Sequence, residues 1–317
     1  MGLRIVIPGG TGQVGRILAR YFHAKGHEVT VLARHVSPAR WRVLPWNGRD
    51  TGDWVKAIDG ADVVINLAGR NVNCRYNEQN RREIMDSRVD ATRAIGRAIE
   101  LAQSPPPLWL NAATATIFRH ALDRPMDEAT GELGGAEADA PSTWRFSIDV
   151  ARSWEKALFE MPAPGTRKIA LRSSMIMSPD HGGVFDVLLR LVRFGLGGTA
   201  GSGEQFVSWI HDLDFVRAIE FLFTATHLDG CINVCSPEPL PNRTFMRDLR
   251  EAYGMPVGVP ATTWMLEAGA FFLRTETELI LKSRRVVPGR LSSAGFAFDF
   301  PKWPAAARDL VSRWRRG

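Results

Sequence analysis

The sequence predicts an α/β fold, a doubly wound parallel sheet with a smaller mixed C-terminal lobe, and three observations carry that prediction. Short apolar runs alternate with helix-period segments through the first 172 residues. A glycine-rich turn inside IVIPGGTGQVGRILARYF (5 to 22) joins the first of these runs to the first helix. From about residue 173 the alternation loosens into glycine- and proline-rich connections. Alternating strands and helices build a parallel sheet covered on both faces, and ligands of such sheets lie outside the carboxyl ends of the strands.

The elements follow in order. Residues 5 to 8 are apolar and strand-length, and Gly9, Gly10, Gly12 and Gly15 form the turn after them. Glycines there let the backbone approach a pyrophosphate closely. The next helix has Val14, Ile17, Leu18 and Tyr21 on one face, and its N-terminus offers free N–H groups and partial positive charge to an anion. HEVTVLAR (27 to 34) reads as a second strand, and DWVKAIDGADVVINLAG (53 to 69) as a short helix followed by a buried strand. A long helix over 77 to 102 is ended by the prolines at 105 to 107, ahead of the strand LWLNAAT. Residues 143 to 160 form another helix and RKIALRSSMIM another strand.

In the second lobe, GLGGTAGSGEQ (195 to 205) is a glycine-rich connection and the stretch from Pro237 to Pro260 is proline-rich. The helix DLDFVRAIEFLFTA (212 to 225), with Asp212 or Asp214 as N-cap, and the strand CINVC (231 to 235) return to the main sheet. The expected division is therefore 1–172 with 212–236 for the nucleotide domain, and 173–211 with 237–317 for the substrate-facing lobe. TTWMLEAGAFFL, ETELILKS, FAFDF and AAARDLVSRW supply mixed helix and strand to that lobe.

Composition narrows the function. With 317 residues, 45% of them hydrophobic, the chain can bury a substantial core. Its net charge of +6 comes from arginines spread along the whole chain, without the basic, aromatic-interleaved stripe of a nucleic-acid binder. A basic surface favours anionic ligands. No apolar run reaches the length of a membrane span and the start lacks a signal peptide's pattern, so a cytoplasmic protein is expected. Cys74, Cys231 and Cys235 are scattered, with no CxxC pair and no histidines at zinc spacing, which predicts buried thiols and neither disulfide nor metal. The expected partner is a small-molecule substrate, with a homodimer allowed. At the end of the second strand stand Ala33 and Arg34. An acid there would accept hydrogen bonds from an adenosine ribose and repel a 2′-phosphate; a guanidinium attracts the phosphate, so the expected cofactor is NADP(H).

PGGTGQVG, INLAG (65 to 69), TATIF (114 to 118) and SWIHDLDFVRAI (208 to 219) occur in the order found in the extended short-chain dehydrogenase/reductase superfamily, which this chain resembles. GLGGTAGSGEQFVSWIH, SPEPLPNRTF (236 to 245) and RRVVPGRLSSAGFAF (284 to 298) are similar to the atypical, epimerase-like subgroup with its own C-terminal domain. The resemblance implies a Rossmann-type nucleotide domain with the active site between it and the C-terminal lobe. It implies cofactor contacts from Gly9, Thr11, Gly12, Gln13, Val14 and Gly15, and from Leu67, Ala68 and Gly69 after the INLAG strand. Arg172, closing a strand, either contacts the cofactor or pairs with a carboxylate.

In that superfamily a serine polarises the substrate oxygen, and a tyrosine helped by a lysine four residues on moves the proton. Thr114 takes the serine position and can make the same hydrogen bond. Aligning Glu155 with the glutamate usual on the next helix puts Ser147 and Ala151 where the tyrosine and lysine belong, so both groups are absent. Tyr21 and Lys25 have the right spacing but lie on the first helix, where core packing explains them. Tyr76 and Tyr253 are also off the catalytic helix, so no tyrosine is expected to carry the chemistry. Phe118, Arg119 and His120 replace the subgroup's usual two tyrosines and a glycine, and His120 is a candidate acid–base group beside the cleft. His211 reads as structural, and Asp127 and Glu128 as a cleft edge or an exposed loop. Val207 stands where sugar-nucleotide enzymes carry a pyrophosphate-clamping arginine, and with Ser208 and Trp209 it predicts an apolar wall that excludes nucleotide sugars unless Arg190 or Arg193 replaces the clamp. The expectation is a reductase or epimerase-like enzyme acting on a carbonyl or hydroxyl, with a catalytically silent NADP(H)-binding regulatory protein as the rival.

Overall fold

Ile5 and Ile7 are fully buried and Val6 nearly so, because strand β1 (Arg4–Pro8) is an inner strand of the sheet with helices over both faces. The computed structural model describes residues 2–137, 141–262, 265 and 278–317. After β1 come α1 (Gln13–Ala24), β2 (Glu28–Ala33), β3 (Arg42–Pro45), a 3₁₀ turn at Asp53–Ala57, β4 (Val63–Asn66), α2 (Glu78–Leu101) and β5 (Leu108–Thr114). A 3₁₀ turn at Ala115–Ile117 precedes α3 (Ser142–Glu160), β6 (Arg167–Ser173), β7 (Met175–Met177) and α4 (Val184–Arg193). The rest is β8 (Phe206–Val207), β9 (Trp209–His211), α5 (Asp212–Thr224), β10 (Gly230–Val234), β11 (Leu240–Pro241), α6 (Asn242–Tyr253), α7 (Glu278–Leu281), α8 (Gly289–Ser293) and α9 (Trp303–Arg316).

The seven strands of the main sheet run in the order β10-β6-β5-β4-β1-β2-β3, and every pairing is parallel. The chain builds outward from β1 to β3 on one side, then from β4 to β10 on the other. The reversal opens a crevice between the carboxyl ends of β1 and β4, where the glycine turn and the INLAG segment meet. One face is covered by α1 and α5, through Ile17, Leu18, Phe22, Phe215, Ile219 and Leu222. The other is covered by α2 and α3, through Ala91, Ala94, Ile95, Ala98, Ile99 and Leu158.

Strand β3 was not among the expected elements. RVLP is short, carries an arginine and a proline, and lies at the sheet edge, so it lacks the apolar run that marks the inner strands. The RKIALRSSMIM stretch is two strands, because β6 belongs to the main sheet while β7 pairs with β9 in a two-stranded sheet of its own. FAFDF forms no strand; Phe296 and Phe298 pack onto the main core instead. ETELILKS enters the described residues at the helical turn α7, and TTWMLEAGAFFL lies largely outside them.

The second lobe packs α4, α6 and α9 around Trp209, Trp303 and Phe245. The rings of Phe245 and Trp303 stack at 4.0 Å, and Trp209 meets Trp303 edge-on at 5.0 Å. The N-cap of α5 is neither expected aspartate but His211, whose Nδ1 accepts from the Leu213 N–H at 3.2 Å. Asp214 instead accepts from the backbone of Asp299 and Phe300, and Asp212 pairs with Arg313. The Tyr21–Lys25 pair is structural, as its spacing on α1 indicates: both side chains bond Glu220 of α5 at 2.7 Å.

Helix α1 lies so close to the turn that a Cβ on Gly15 would sit 2.4 Å from the Gly10 Cα. Gly15→Ala should therefore destabilise the fold by about 1–3 kcal/mol through overpacking, despite the ~1 kcal/mol that alanine gains over glycine inside a helix. A lowered urea midpoint with unchanged slope is the expected result.

Candidate dinucleotide and carbonyl site

The turn after β1 leaves room for a ligand at one glycine and none at the others. Gly9 has φ +76, and a Cβ there would lie 2.7 Å from the Ala68 nitrogen; a Cβ on Gly10 would strike Val31 and the Ile7 carbonyl. A Cβ on Gly12 would meet only the Gly9 oxygen, at 3.6 Å. Thr11 and Gly12 are exposed, and α1 begins at Gln13 with no side-chain cap. Its first-turn N–H groups are thus aimed at the open side of the turn. Gln13 and Val14 are half-buried. Gln13 also donates to the Asp180 carbonyl at 3.5 Å, which brings the loop after β7 beside the helix N-terminus.

Leu67, Ala68 and Gly69 line the other side of the crevice. The Leu67 N–H donates to the Pro8 carbonyl, and the Ala68 N–H donates to the Asn66 side chain at 3.1 Å. Asn66 is itself held by a buried network, since it donates to Asn111 at 2.7 Å. Arg88 of α2 packs against Gly69, and its burial lowers its guanidinium to about 10. Beyond β2, Arg34 is exposed and makes no hydrogen bond or ion pair with the described residues, whereas Ala33 beside it is buried. An open glycine, an uncapped helix and a cation at the end of the second strand fit a dinucleotide with a charged ribose.

Arg172 belongs to the second of its two expected alternatives. Its Nε and Nη2 donate to the two oxygens of Glu155 at 2.7 and 2.8 Å, and both side chains are almost wholly buried. Burial works against its charge, but the Glu155 bonds outweigh it and hold the guanidinium above its ordinary value. With both prongs of its fork on Glu155 and its face over the Phe118 ring, Arg172 holds α3 to β6. Cys231 lies 3.6 Å from Glu155 and is pushed up to about 11, chiefly by burial. Of the three thiols only Cys235 is fully buried, and the described residues contain no group of ligands suited to a metal.

Thr114 closes β5, opposite Ser173 of β6. Its Oγ1 accepts from the Thr116 N–H at 3.2 Å, an arrangement that fixes the oxygen and leaves its own proton to donate. His120 stacks on Trp144, and its Nδ1 accepts from the Ser283 N–H at 3.1 Å. Burial, followed by the charge of Lys282, lowers its pKa, so the ring is a neutral Nε2–H tautomer pinned to the C-terminal segment.

Ser147 and Ala151 lie on α3 as aligned, Ala151 fully buried. Around Ser147 the fold assembles groups that the sequence reading did not bring together. Ser147 donates to Glu278 of α7 and is hydrogen-bonded to Tyr76, whose phenol is raised mainly by burial. Lys282 donates from Nζ to the Thr116 carbonyl at 2.9 Å and lies 3.9 Å from Glu278 Oε1. Arg284 donates from Nε to Thr116 Oγ1 at 3.2 Å. A visible signal was the presence of Lys282 directly after the apolar ELIL turn, but the pairing spans more than 130 residues and no local pattern encodes it.

Val207 and Trp209 form no wall facing a cleft: Trp209 is fully buried against Trp303, and Ser208 donates to the Arg284 carbonyl at 2.6 Å. Arg190 pairs with Asp186, and Arg193 lies over the Trp314 ring. Glu128 is an internal tie, accepting from the N–H groups of Asn233 and Arg290, while Asp127 caps its own turn through Ala129 and Thr130. His211 is structural, fully buried between Leu213 and Asp309 and stacked on Phe300.

The Arg172–Glu155 pair yields a stability test. Arg172→Met should cost about 3–5 kcal/mol in chemical denaturation, because it strands a buried carboxylate, and adding Glu155→Leu should restore most of that loss.

The family model of the NAD dependent epimerase/dehydratase family matches residues 5–144, and a domain of unknown function, DUF1731, matches residues 261–310. Epimerase family protein SDR39U1 of Bos taurus is 30% identical over 98% of this chain and all of its own length. The crystal structure of the human SDR39U1 (isoform 2) with NADPH superposes with a TM-score of 0.85 at 28% identity, covering 98% of this chain and 99% of that one. A nucleoside-diphosphate sugar epimerase from Corynebacterium glutamicum gives a TM-score of 0.76 at 25% identity, over 98% of this chain and 59% of that one. Full-length similarity to SDR39U1, a parallel sheet with its reversal at β1 and β4, and a glycine turn opening onto that crevice agree, and the chain belongs to the NAD-dependent epimerase/dehydratase family.

Proposed function

We propose that the protein is an NADP(H)-dependent enzyme, a reductase or epimerase-like catalyst, acting on a carbonyl or hydroxyl of a small substrate other than a nucleotide sugar. The observation that carries this reading is the position of Thr114, a hydroxyl fixed by the Thr116 N–H at the carboxyl end of β5 with its proton free to donate. NADP(H), when bound, supplies or accepts a hydride. The turn and the N-terminus of α1 hold the pyrophosphate, Arg34 holds the 2′-phosphate, and Thr114 polarises the substrate oxygen. The NADPH in the human relative supports the cofactor. Val207 in place of a clamping arginine, with Arg190 and Arg193 engaged elsewhere, supports a substrate without a pyrophosphate.

The rival reading, binding without turnover, is favoured by Ser147 and Ala151 in place of the tyrosine and lysine. The two readings part on Thr114→Val. For an enzyme, NADPH oxidation across a panel of carbonyl compounds should fall roughly ten- to a thousandfold; an unchanged rate, or none from the parent protein, supports the rival.

Cofactor choice is tested separately by calorimetry. Arg34→Ala should weaken NADPH by about ten- to a hundredfold, the loss of one charge-assisted hydrogen bond, and leave NADH unchanged. Equal affinities for the two cofactors in the parent protein would overturn the assignment. Micromolar, saturable binding of UDP-glucose to the NADP-saturated protein would remove the exclusion of nucleotide sugars.

A further inference from the structure

Reducing a carbonyl needs a proton as well as a hydride, and the helix that carries the family's proton donor here offers only Ser147. A serine hydroxyl is too weak an acid to be the source, but it can pass a proton on when a better donor stands behind it. Behind Ser147 stands Glu278, whose Oε2 accepts from the serine hydroxyl. On the far side of the same carboxylate, 3.9 Å from Oε1, lies the Lys282 ammonium. Lys282 is itself anchored by the Thr116 carbonyl, and the Thr116 N–H donates to Thr114. The polarising hydroxyl and the hydroxyl at the tyrosine position are therefore two ends of one chain of contacts, Thr114, Thr116, Lys282, Glu278, Ser147, hydrogen-bonded at every step but the 3.9 Å ion pair between Lys282 and Glu278.

We propose that Lys282 is the proton reservoir of this site, delivering through Glu278 and Ser147 to the substrate oxygen that Thr114 polarises. The inference rests on the carbonyl-reducing reading above. In the reducing direction the carbonyl carbon gains a hydride, with its electron pair, from the reduced nicotinamide, and the carbonyl π pair moves to oxygen. That oxygen takes the proton of Ser147. Glu278 takes a proton from the Lys282 ammonium as their 3.9 Å separation closes to hydrogen-bond distance, and Ser147 recovers one from the Glu278 carboxyl so formed. One C–H and one O–H bond form, one Lys282 N–H bond breaks, and the neutral amine is reprotonated from water after product leaves. The oxidising direction runs the same transfers in reverse.

The surroundings suit a reservoir. Lys282 is fully buried, and burial, then the neighbouring Arg284, bring it down to about 8, against the pull of Glu278 and Glu137 toward a higher value. It is charged at neutral pH yet gives up its proton far more readily than a surface lysine. The other ionisable groups facing the cluster are His120, held neutral, Tyr76, whose phenol stays protonated and bonds Ser147, and Arg88 and Cys74, which lie against Tyr76. Of these groups only Lys282 is charged as an acid at neutral pH and releases its proton within reach of it.

The test combines titration with kinetics on the full-length protein. The chain has six lysines, so ¹⁵N-lysine labelling gives a countable set of side-chain resonances, and Lys282→Met identifies the one that matters. The Lys282 resonance should titrate near 8 in the cofactor-free protein and shift lower in Glu278→Gln, which removes the attracting carboxylate. With NADPH, and with phenanthrenequinone and 4-nitrobenzaldehyde as carbonyl probes, kcat should fall above about pH 8, as the reservoir empties. Lys282→Met should lower kcat by about 10²–10⁴-fold and abolish that limb, with NADPH affinity unchanged. Lys282→Arg should fail to restore it, because arginine keeps its proton. If Lys282→Met does not fold, Ser147→Ala, on the exposed side of the relay, should lower kcat by a similar factor with little change in KM. Titration of Lys282 near its ordinary 10.5, or kcat within twofold of the parent in Lys282→Met or Ser147→Ala, would overturn the proposal while leaving the carbonyl-reducing function intact. A parent protein that binds NADPH but reduces neither probe, with Lys282 titrating at its ordinary value, would overturn both.

Discussion

The contact between Gly10 and Gly15 sets the position of everything that binds. With no side chain on either residue, helix α1 settles directly onto the turn that precedes it, at a separation that leaves no room for a single methyl group. Its uncapped N-terminus thereby ends over the crevice where the order of strands reverses. A helix held farther off would still pack its apolar stripe on the sheet, but its partial charge would miss that crevice. Gly9 does the matching work on the other wall, since its left-handed φ lets the backbone of Ala68 come in against it.

From that fixed point the second lobe is tied in at several places of different chemistry. Arg20 of α1 pairs with Asp180, so the loop after β7 follows the helix that sits on the turn. Ser208 donates to the Arg284 carbonyl and accepts from the Val286 N–H, which fastens the C-terminal segment beside β9. His211 links the start of α5 to Asp309 of α9. These ties hold Lys282 and Arg284 against the 3₁₀ turn that follows β5.

Local pattern and tertiary contact divide sharply in how legible they are. Strands β1, β2, β4 and β5 were readable because each is an apolar run bounded by turn residues, and α2 was readable because its apolar spacing persists to the prolines beyond it. The glycine turn and the start of α1 were readable for the same reason, since both lie within one βαβ unit. Edge strand β3 was not, because an edge needs no continuous apolar run. Arg172 shows the limit from a single residue: its place at a strand end is visible in the sequence, but whether its guanidinium meets a ligand or Glu155 depends on how α3 packs. Val207 and Trp209 show it again, because an apolar wall of a cleft and the core of a lobe have the same composition.

The same limit explains why the proposed carbonyl site looked empty when read along α3. A tyrosine and a lysine one helical turn apart form a local unit, and their loss from Ser147 and Ala151 is complete at that level. Proton transfer asks only that groups of suitable acidity stand in contact, whichever segment brings them. Here Tyr76 arrives from the loop before α2, and Glu278 and Lys282 from the turn α7, to surround the hydroxyl left on the helix. A buried ammonium beside a second cation is expensive to desolvate, and one carboxylate between them offsets only part of that cost. An apolar turn would fill the same space more stably, so the cluster is a place where the fold gives up stability, and its chemistry faces the one hydroxyl that the family's own pattern leaves without a donor.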